Sequence, residues 1–328
     1  MEILRQLCSV RFRSGIVRGA LLVMLAGLSC HALAIERVTI LLSEQRGAYA
    51  EFAEELSNAL IPSLSANHKP AIKIINLATL NSSDLAQNNN SQILVAVGTP
   101  AMNAMAQKPP AMPVLNVLIP RESYNKTLKN AGHNLDLHRF SAIYVDQPWS
   151  RQMALIKVST PKRSRVGVLA SKDFSDQLPS LQTAAKNAGL ILHLETVNSD
   201  ADLLPTLRHL LGNSDVLLAV PDSAVYNRNN IPSILLTSYR QQIPLFGFSA
   251  AFVKAGALAA VTSSGAQISK QVAEIINNLQ ASNGLPAPQY PRYYSVILNS
   301  QVSRSLEIVV EDESTLEQKL RLHMERLQ

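Results

Sequence analysis

Residues 215–262, DVLLAVPDSAVYNRNNIPSILLTSYRQQIPLFGFSAAFVKAGALAAVT, decide the fold of this chain. Short apolar runs occur at 216–220, 243–248 and 257–261, and a segment of helical length, 231–240, separates the first two. This alternation is typical of parallel βαβ units whose sheet is buried between helices. In open α/β sheets a ligand binds beyond the carboxyl ends of the strands, so the residues that follow these runs are the first candidates for a site.

The same alternation occurs twice along the chain, once before Pro120 and once after Arg165. The strands predicted before Pro120 lie at 37–43, 71–77, 93–97 and 112–119, and a further strand is predicted at 140–145. From Arg165 onwards, strands are predicted at 165–170, 191–197, 216–220 and 293–298, in addition to the apolar runs 243–248 and 257–261. The polar segment 121–137 carries few helix signals and is predicted to be a loop with at most one helical turn. The chain is therefore predicted to form an α/β fold of two Rossmann-like lobes, each a parallel sheet flanked by helices.

Four motifs follow one another within the opening stretch. They are the PD and YN of residues 221–227, ILLTSYR at 234–240, IPLFGFS at 243–249 and AFVKAGALAAV at 251–261. In this order they resemble the ABC transporter substrate-binding proteins of the periplasmic-binding-protein class. The resemblance implies a type I two-lobe fold with a ligand cleft between the lobes.

The resemblance also implies that the chain crosses between the lobes three times, near 141–149, 262–265 and 283–291. The predicted organisation is given by its ranges: signal peptide 1–34, N-terminal lobe 36–146 plus 265–283, C-terminal lobe 147–264 plus 284–310, and helical tail 311–328.

The first 34 residues are typical of a secretory signal peptide. Basic residues precede the apolar run 20–28, and Ala32-Leu33-Ala34 forms an A-x-A cleavage site. Cleavage after Ala34 would give a periplasmic protein. A lipoprotein anchor at Cys30 is the alternative, although Gly27 stands where lipoprotein signals usually have leucine. Both cysteines, Cys8 and Cys30, lie in this leader, so cleavage after Ala34 would leave a mature chain without a thiol or a disulfide.

Charge gives no indication of a nucleic-acid partner. The whole chain has a formal net charge of +6, and removal of the leader with its four arginines and one glutamate lowers it to +3. Hydrophobic residues make up 47% of the chain, which is enough for a large core.

The sequence contains no nucleotide-binding, metalloprotease or nucleophile-elbow motif, and its histidines are scattered. No enzyme activity, metal or cofactor is therefore predicted. An α/β hydrolase, with Ser249 as its nucleophile, is the least favoured alternative.

Polar residues at predicted strand ends are the candidate ligand-binding groups: Ser43, Thr99, Asp146, Ser171, Asp222, Ser223 and Ser249. Hydroxyls and backbone N–H groups suit a carboxylate, and Asp222 suits an ammonium group. Flat apolar walls are predicted from Tyr49, Trp149, Tyr226 and Phe248. The competing interpretation is that the serines cap helices and the aromatic rings fill the core.

Two functions remain open at this point. The resemblance implies a solute-binding protein that delivers a small polar or amino-acid-like molecule to an ABC permease. The alternative is a sensory module of the same fold that signals to a membrane partner. The tail 311–328 motivates this alternative because its leucines form one apolar face.

Overall fold

The structure is a computed structural model that describes residues 35–60, 70–85, 92–132, 135–279 and 284–325. The predicted signal peptide with Cys8 and Cys30 lies outside the described residues, as do the ends of several predicted helices. Among the described residues, no helix is both long and apolar enough to cross a membrane.

The first lobe is built on a five-stranded parallel sheet. Its strands are β1 (Arg37–Leu42), β2 (Ala71–Asn76), β3 (Gln92–Val97), β4 (Val114–Ile119) and β5 (Phe140–Tyr144). Their order across the sheet is β2-β1-β3-β4-β5. The central strand β3 is buried along its whole length, as expected for a parallel sheet covered on both faces.

Helices cover both faces of this sheet. They are α1 (Ala48–Leu60), the single turn α2 (Ser82–Leu85), α3 (Thr99–Gln107), α4 (Arg121–Ala131) and, from later in the chain, α10 (Gly265–Asn278). Phe52 and Leu56 of α1 share one hydrophobic core with Ile268 and Val272 of α10. Helix α10 is thereby part of the first lobe.

The prediction of a loop at 121–137 was wrong, because most of this segment forms the helix α4. Pro120 precedes the helix, Gly132 ends it with a positive φ of 63°, and Glu122 pairs with Lys126 one turn later. Tyr124 is buried against β5 and donates from its hydroxyl to the carbonyl of Phe140 at 2.8 Å. Tertiary packing of this ring therefore stabilises a helix whose sequence is mostly polar.

The second lobe contains a six-stranded sheet. Its strands are β6 (Arg165–Ala170), β7 (Ile191–Thr196), β8 (Val216–Leu218), β9 (Leu245–Phe246), β10 (Ala259–Thr262) and β11 (Ser295–Leu298). The order is β11-β10-β9-β8-β6-β7, and all pairs are parallel except β10 with β11. The predicted fold of two mostly parallel sheets flanked by helices is confirmed.

The helices of the second lobe are α5 (Trp149–Ser159), α6 (Leu178–Asn187), α7 (Leu203–Gly212), α8 (Ile231–Arg240), α9 (Ala250–Ala255), α11 (Ser300–Ser305) and α12 (Glu313–Glu325). Short 3₁₀ segments, Lys172–Gln177 and Asp200–Asp202, precede α6 and α7. Leu178 and Leu203, the residues that follow these segments, begin the α-helices directly.

The segment after residue 283 follows the first sheet before it enters the second lobe. The N–H of Leu285 donates to the carbonyl of His138, and Gln289 forms a parallel bridge with Ile143 of β5. Leu285 is also buried in the core shared by α1 and α10. Residues 285 and 289 therefore contact the first lobe within the stretch 283–291 where the third crossing is predicted.

Hydrogen bonds join the three crossings. Gln147 of the first crossing donates from Nε2 to Oγ of Ser263 in the second at 2.9 Å. Ser263 in turn donates to the carbonyl of Tyr293 in the third at 2.6 Å. Beside them, Arg151 of α5 donates to the carbonyl of Pro291 at 3.0 Å. The crossings thus form one connected hinge.

Helix α12 covers the second lobe with its apolar face. It packs against α5 and β11, and the side chains of Leu316 and Leu320 are fully buried in the core of this lobe. Oε1 of Glu317 accepts the N–H of Val296 at 2.9 Å and so ties the helix to the edge strand. Leu316 and Leu320 of the face that suggested a partner-binding tail are therefore occupied within the molecule, and Leu327 lies outside the described residues.

Leu320→Ala should destabilise the protein by about 2–5 kcal/mol, since it removes a fully buried side chain and leaves a cavity. Leu322→Ala is the matched control on the same helix, because Leu322 is 47% exposed; it should change stability by less than about 0.5 kcal/mol. Urea denaturation of both variants measures the difference. Equal stability of the two would contradict the packing of α12 described above.

Candidate ligand site between the lobes

A cavity of about 420 Å³ lies between the two lobes at the carboxyl ends of the strands. The first lobe contributes residues that follow β4 and β5: Pro120, Glu122, Ser123, Lys126 and Asp146. The second lobe contributes Asp173, Phe174, Gln177, Pro221, Asp222, Ser223, Ala224, Tyr226 and Phe248. Both lobes therefore contribute polar and charged groups to one space.

A second cavity of about 250 Å³ adjoins the first on the side of the hinge. The two share Pro120, Asp146, Gln177, Pro221 and Phe248. The second adds Arg121, Val145, Gln147, Trp149, Gln152, Ser249 and Tyr290. Together they form a continuous cleft that reaches from its mouth to the hinge.

The carboxylate of Asp222 holds the turn that follows β8. Its Oδ2 accepts the N–H of Ser171 at 2.6 Å, and its Oδ1 accepts the N–H of Ala224 at 3.0 Å. The residue is 7% exposed. Asp222 therefore links the ends of β6 and β8, and it forms the floor of the cleft with both oxygens already bonded to backbone.

The carboxylate of Asp146 stands in a different environment. Oδ2 accepts the N–H of Arg121, the first residue of α4. Burial raises the pKa of Asp146 above its ordinary value, and the hydrogen bond and positive charge of Arg121 only partly offset this effect. Among the described residues Asp146 has no ion-pair partner. Asp146 lines both cavities. Its burial makes the charged form of the carboxyl group less favourable than in water.

Two of the predicted serines act as helix or turn caps. Ser249 Oγ accepts the N–H of Phe252 at the start of α9, and Ser171 Oγ accepts the N–H of Asp173. Ser249 also lines the inner cavity, whereas Ser171 lines a separate cavity of about 400 Å³ on the second lobe. Ser223 is exposed and lines the larger interlobe cavity.

Ser43 and Thr99 lie at the same edge of the first sheet but line neither interlobe cavity. Ser43 Oγ donates to the carbonyl of Val97 and accepts the N–H of Ala101, so it fixes the start of α3. Gly98 has a φ of 88°, and a Cβ there would lie 2.8 Å from Ser43 Oγ and from the Tyr49 ring. Tyr49 therefore fills the space beside β1 and β3.

Aromatic rings form the apolar walls of the cleft. Phe248 contacts Tyr226 edge-on with 6.5 Å between ring centroids, and Trp149 contacts Phe174 in the same way at 5.8 Å. Tyr290 closes the hinge side, where its hydroxyl accepts a hydrogen bond from Arg121 at 3.0 Å. Of the predicted rings, Trp149, Tyr226 and Phe248 line the cleft and Tyr49 does not.

The sequence did not predict that α4 and the 3₁₀ segment Lys172–Gln177 line the cleft. Gln177 donates from Nε2 to Oε2 of Glu122 at 3.1 Å across the cleft. Lys129 and Asp176 approach within 3.6 Å beside them. The spacing of Glu122 and Lys126, one helical turn apart, was the available signal for α4.

Gln152 was also missed, because it lies inside α5 rather than at a strand end. It is 3% exposed, lines the inner cavity, and its Oε1 has no hydrogen-bond partner among the described residues. No local pattern distinguishes such a residue from an ordinary helical glutamine. Elsewhere in the described residues, no group of three or more His, Cys, Asp or Glu could hold a metal ion.

Asp222→Ala should lower the free energy of unfolding by about 1–3 kcal/mol, because two backbone N–H groups lose their acceptor. Asp173→Ala removes an exposed carboxylate from the wall of the same cavity and should change stability by less than about 0.5 kcal/mol. Chemical denaturation separates the two variants. An Asp222→Ala protein as stable as the unmodified one would show that the turn does not depend on this carboxylate.

Asp146→Asn should stabilise the unliganded protein at neutral pH. The pKa of Asp146 is higher in the folded protein than in the unfolded chain. Such a carboxyl group makes the protein less stable as the pH rises from the pKa of the unfolded state through that of the folded state. Asparagine keeps an acceptor for the N–H of Arg121 and carries no charge, so the melting temperature should rise by about 1–3 °C at pH 7. Below the ordinary pKa of aspartate the gain should vanish, and a gain that persists there would contradict the electrostatic cause.

Comparison with known proteins agrees with this architecture. A model of the family described as ABC transporter substrate binding protein matches residues 65–318. A search of curated protein sequences finds no match.

Solved structures with the same fold share little sequence with this chain. The ligand-free, open form of a substrate binding protein with adhesive properties from Clostridium difficile superposes with a TM-score of 0.67 at 16% identity, covering 85% of this chain and 97% of that one. An ABC domain from Streptococcus pneumonia in complex with L-Trp gives a TM-score of 0.54 at 17% identity, with 87% and 98% covered.

An ABC transporter substrate-binding protein from Desulfitobacterium hafniense gives a TM-score of 0.53 at 11% identity, with 80% of this chain and 96% of that one covered. These likenesses show the type I periplasmic-binding-protein fold. Because the family model spans most of the sequence, the chain belongs to the ABC transporter substrate binding protein family.

Proposed function

We propose that this protein is a periplasmic solute-binding protein that captures a small polar molecule between its lobes and delivers it to an ABC permease in the inner membrane. The observation that carries the proposal is the cavity of about 420 Å³ with walls from both lobes. Its volume falls within the range usual for sites that enclose small molecules.

Closure on the hinge is the proposed mechanism. A ligand held by Asp146 on the first lobe and by Ser223 or Phe248 on the second makes all of its contacts only when the lobes are together. This difference in contacts shifts the population towards the closed form. An importer that recognises the closed form would then accept loaded protein and ignore empty protein.

Two direct contacts join the lobes across the cleft in the described part of the chain. Lys129 and Asp176 are both largely exposed, and such ion pairs contribute about 0–1 kcal/mol. The hydrogen bond from Gln177 to the carboxylate of Glu122 contributes up to about 1.5–3 kcal/mol. Contacts of a ligand with both lobes would add to these contributions and so favour the closed form.

The geometry supports binding rather than turnover. Ser249, the nucleophile of the hydrolase alternative, uses its Oγ to cap α9, and no histidine is among the residues that line the two interlobe cavities. The sensory alternative drew its support from the tail, where Leu316 and Leu320 are buried in the second lobe. No observation on the described residues favours it over transport.

Native mass spectrometry of the protein, purified gently from the periplasm after expression of the full sequence, tests capture. The expected result is a retained small molecule that is lost on denaturation. Ser223→Trp should prevent retention, because it places a large ring in the cavity from an exposed position. Gln182→Trp, on the exposed face of α6, is the control and should retain the molecule.

Delivery is tested with the molecule so identified. A strain that lacks this chain should lose uptake of that molecule, the unmodified gene should restore uptake, and the Ser223→Trp gene should not. Unchanged uptake in the deletion strain, together with retention by the purified protein, would separate binding from transport and favour the sensory role. A protein that retains no small molecule in the mass spectrum, and whose melting temperature no added solute raises, would contradict the proposal that it binds a solute.

A further inference from the structure

Charged and polar side chains of the two lobes face one another across the outer part of the cleft. Gln177 of the second lobe donates from Nε2 to Oε2 of Glu122 at 3.1 Å, and Nζ of Lys129 lies 3.6 Å from Oδ2 of Asp176. These contacts join α4 to the 3₁₀ segment Lys172–Gln177. Because the two elements belong to different lobes, opening of the cleft separates the partners.

The two facing elements carry opposite net charges. Helix α4 has three cations and one carboxylate, whereas the segment Lys172–Gln177 has two carboxylates and one cation. In the same order, these residues are Arg121, Lys126, Lys129 and Glu122, and then Asp173, Asp176 and Lys172. Opposite charges on facing elements attract one another over distances longer than a direct contact, so the attraction is not limited to one ion pair.

The charge of Lys126 takes part in this attraction. Its Nζ lies 2.6 Å from Oε1 of Glu122, and this contact raises the pKa of Lys126 above its ordinary value. The charges of Asp173 and Asp176 on the other lobe act in the same direction. The attraction between the lobes therefore includes Lys126 as well as Lys129.

These groups lie on the solvent side of the ligand cavity. We call them the latch, which consists of Glu122, Lys126 and Lys129 of the first lobe and Asp173, Asp176 and Gln177 of the second. Four of the six line the outer cavity, and the remaining two, Lys129 and Asp176, line neither interlobe cavity. The side chains of Lys129 and Asp176 are 74% and 81% exposed, so dissolved ions can screen their charges.

We propose that the latch closes the cleft in part without a ligand, and that the attraction between its charges sets the fraction of empty protein that is closed. This inference rests on the lobe closure of the proposed function and adds a second determinant of it, the salt concentration. One exposed ion pair shifts the ratio of open to closed molecules about two- to fivefold.

Trp149 provides a measure of opening, because it is the only tryptophan in the sequence. It is 9% exposed and lines the inner cavity, to which the first lobe contributes Pro120, Arg121 and Val145. Movement of the first lobe away from the second uncovers this cavity. Acrylamide, an uncharged quencher of tryptophan fluorescence, should then reach the indole ring more readily.

Acrylamide quenching tests the proposal on protein that is expressed from the full sequence and freed of bound solute by unfolding in urea and refolding. An increase in salt from about 0.01 M to about 1 M shortens the Debye length from about 30 Å to about 3 Å. The ratio of open to closed molecules should rise about two- to fivefold, and the quenching constant of Trp149 should rise with it.

Charge variants identify the source of the salt effect. Lys129→Glu places a carboxylate opposite Asp176, so its quenching constant should exceed that of the unmodified protein at low salt and match it at high salt. Combining Lys129→Glu with Asp176→Lys restores opposite charges and should restore the unmodified response. Lys186→Glu is the matched control, since it makes the same change in net charge on an exposed residue at the far end of α6.

Three results would each overturn the latch. They are a quenching constant that does not change with salt in the unmodified protein, equal responses of Lys129→Glu and Lys186→Glu, and a charge-swapped protein that stays as open as Lys129→Glu. None of them changes the expected retention of a solute in the native mass spectrum. Failure of the latch is therefore distinguishable from failure of solute capture.

Discussion

Partly buried hydrogen bonds join the three chain crossings beside the cleft to one another. Ser263 stands at the centre, since it accepts from Gln147 of the first crossing and donates to the carbonyl of Tyr293 in the third. Gln271, fully buried in α10, accepts the N–H of Arg292 at 2.7 Å and donates to Gln289. These bonds place the carboxyl ends of β4 and β5 opposite those of β6 and β8 in this structure.

The sequence predicted the two sheets well because their strands are short apolar runs buried on both faces. It failed on α4, where Tyr124 and Thr127 are the buried residues among mostly polar neighbours. Periodicity detects a helix from its apolar stripe, and a helix held by one ring and one hydroxyl leaves almost none. The pairing of Gln289 with Ile143 could not be predicted either, because it depends on contacts distant in sequence.

The candidate site was partly predictable for a similar reason. The strand-end rule led to Asp146, Asp222 and Phe248, which the fold brings to one cavity. The rule could not exclude Ser43 or Thr99, because the sequence does not show which end of the strand order faces the other lobe. In the order β2-β1-β3-β4-β5, the cleft forms beside β4 and β5.

Asp146 and Asp222 show how the same side chain serves two purposes in one cleft. Both carboxylate oxygens of Asp222 accept hydrogen bonds from backbone N–H groups. These bonds stabilise its charge without a ligand. Asp146 has one backbone hydrogen bond and a pKa raised by burial, so its charge is under-compensated in the unliganded protein. A carboxylate kept in that state lowers stability, and a cationic ligand would recover the loss on binding. The difference between the two carboxylates therefore lies in their hydrogen-bond partners and not in their position, since both line the same cavity.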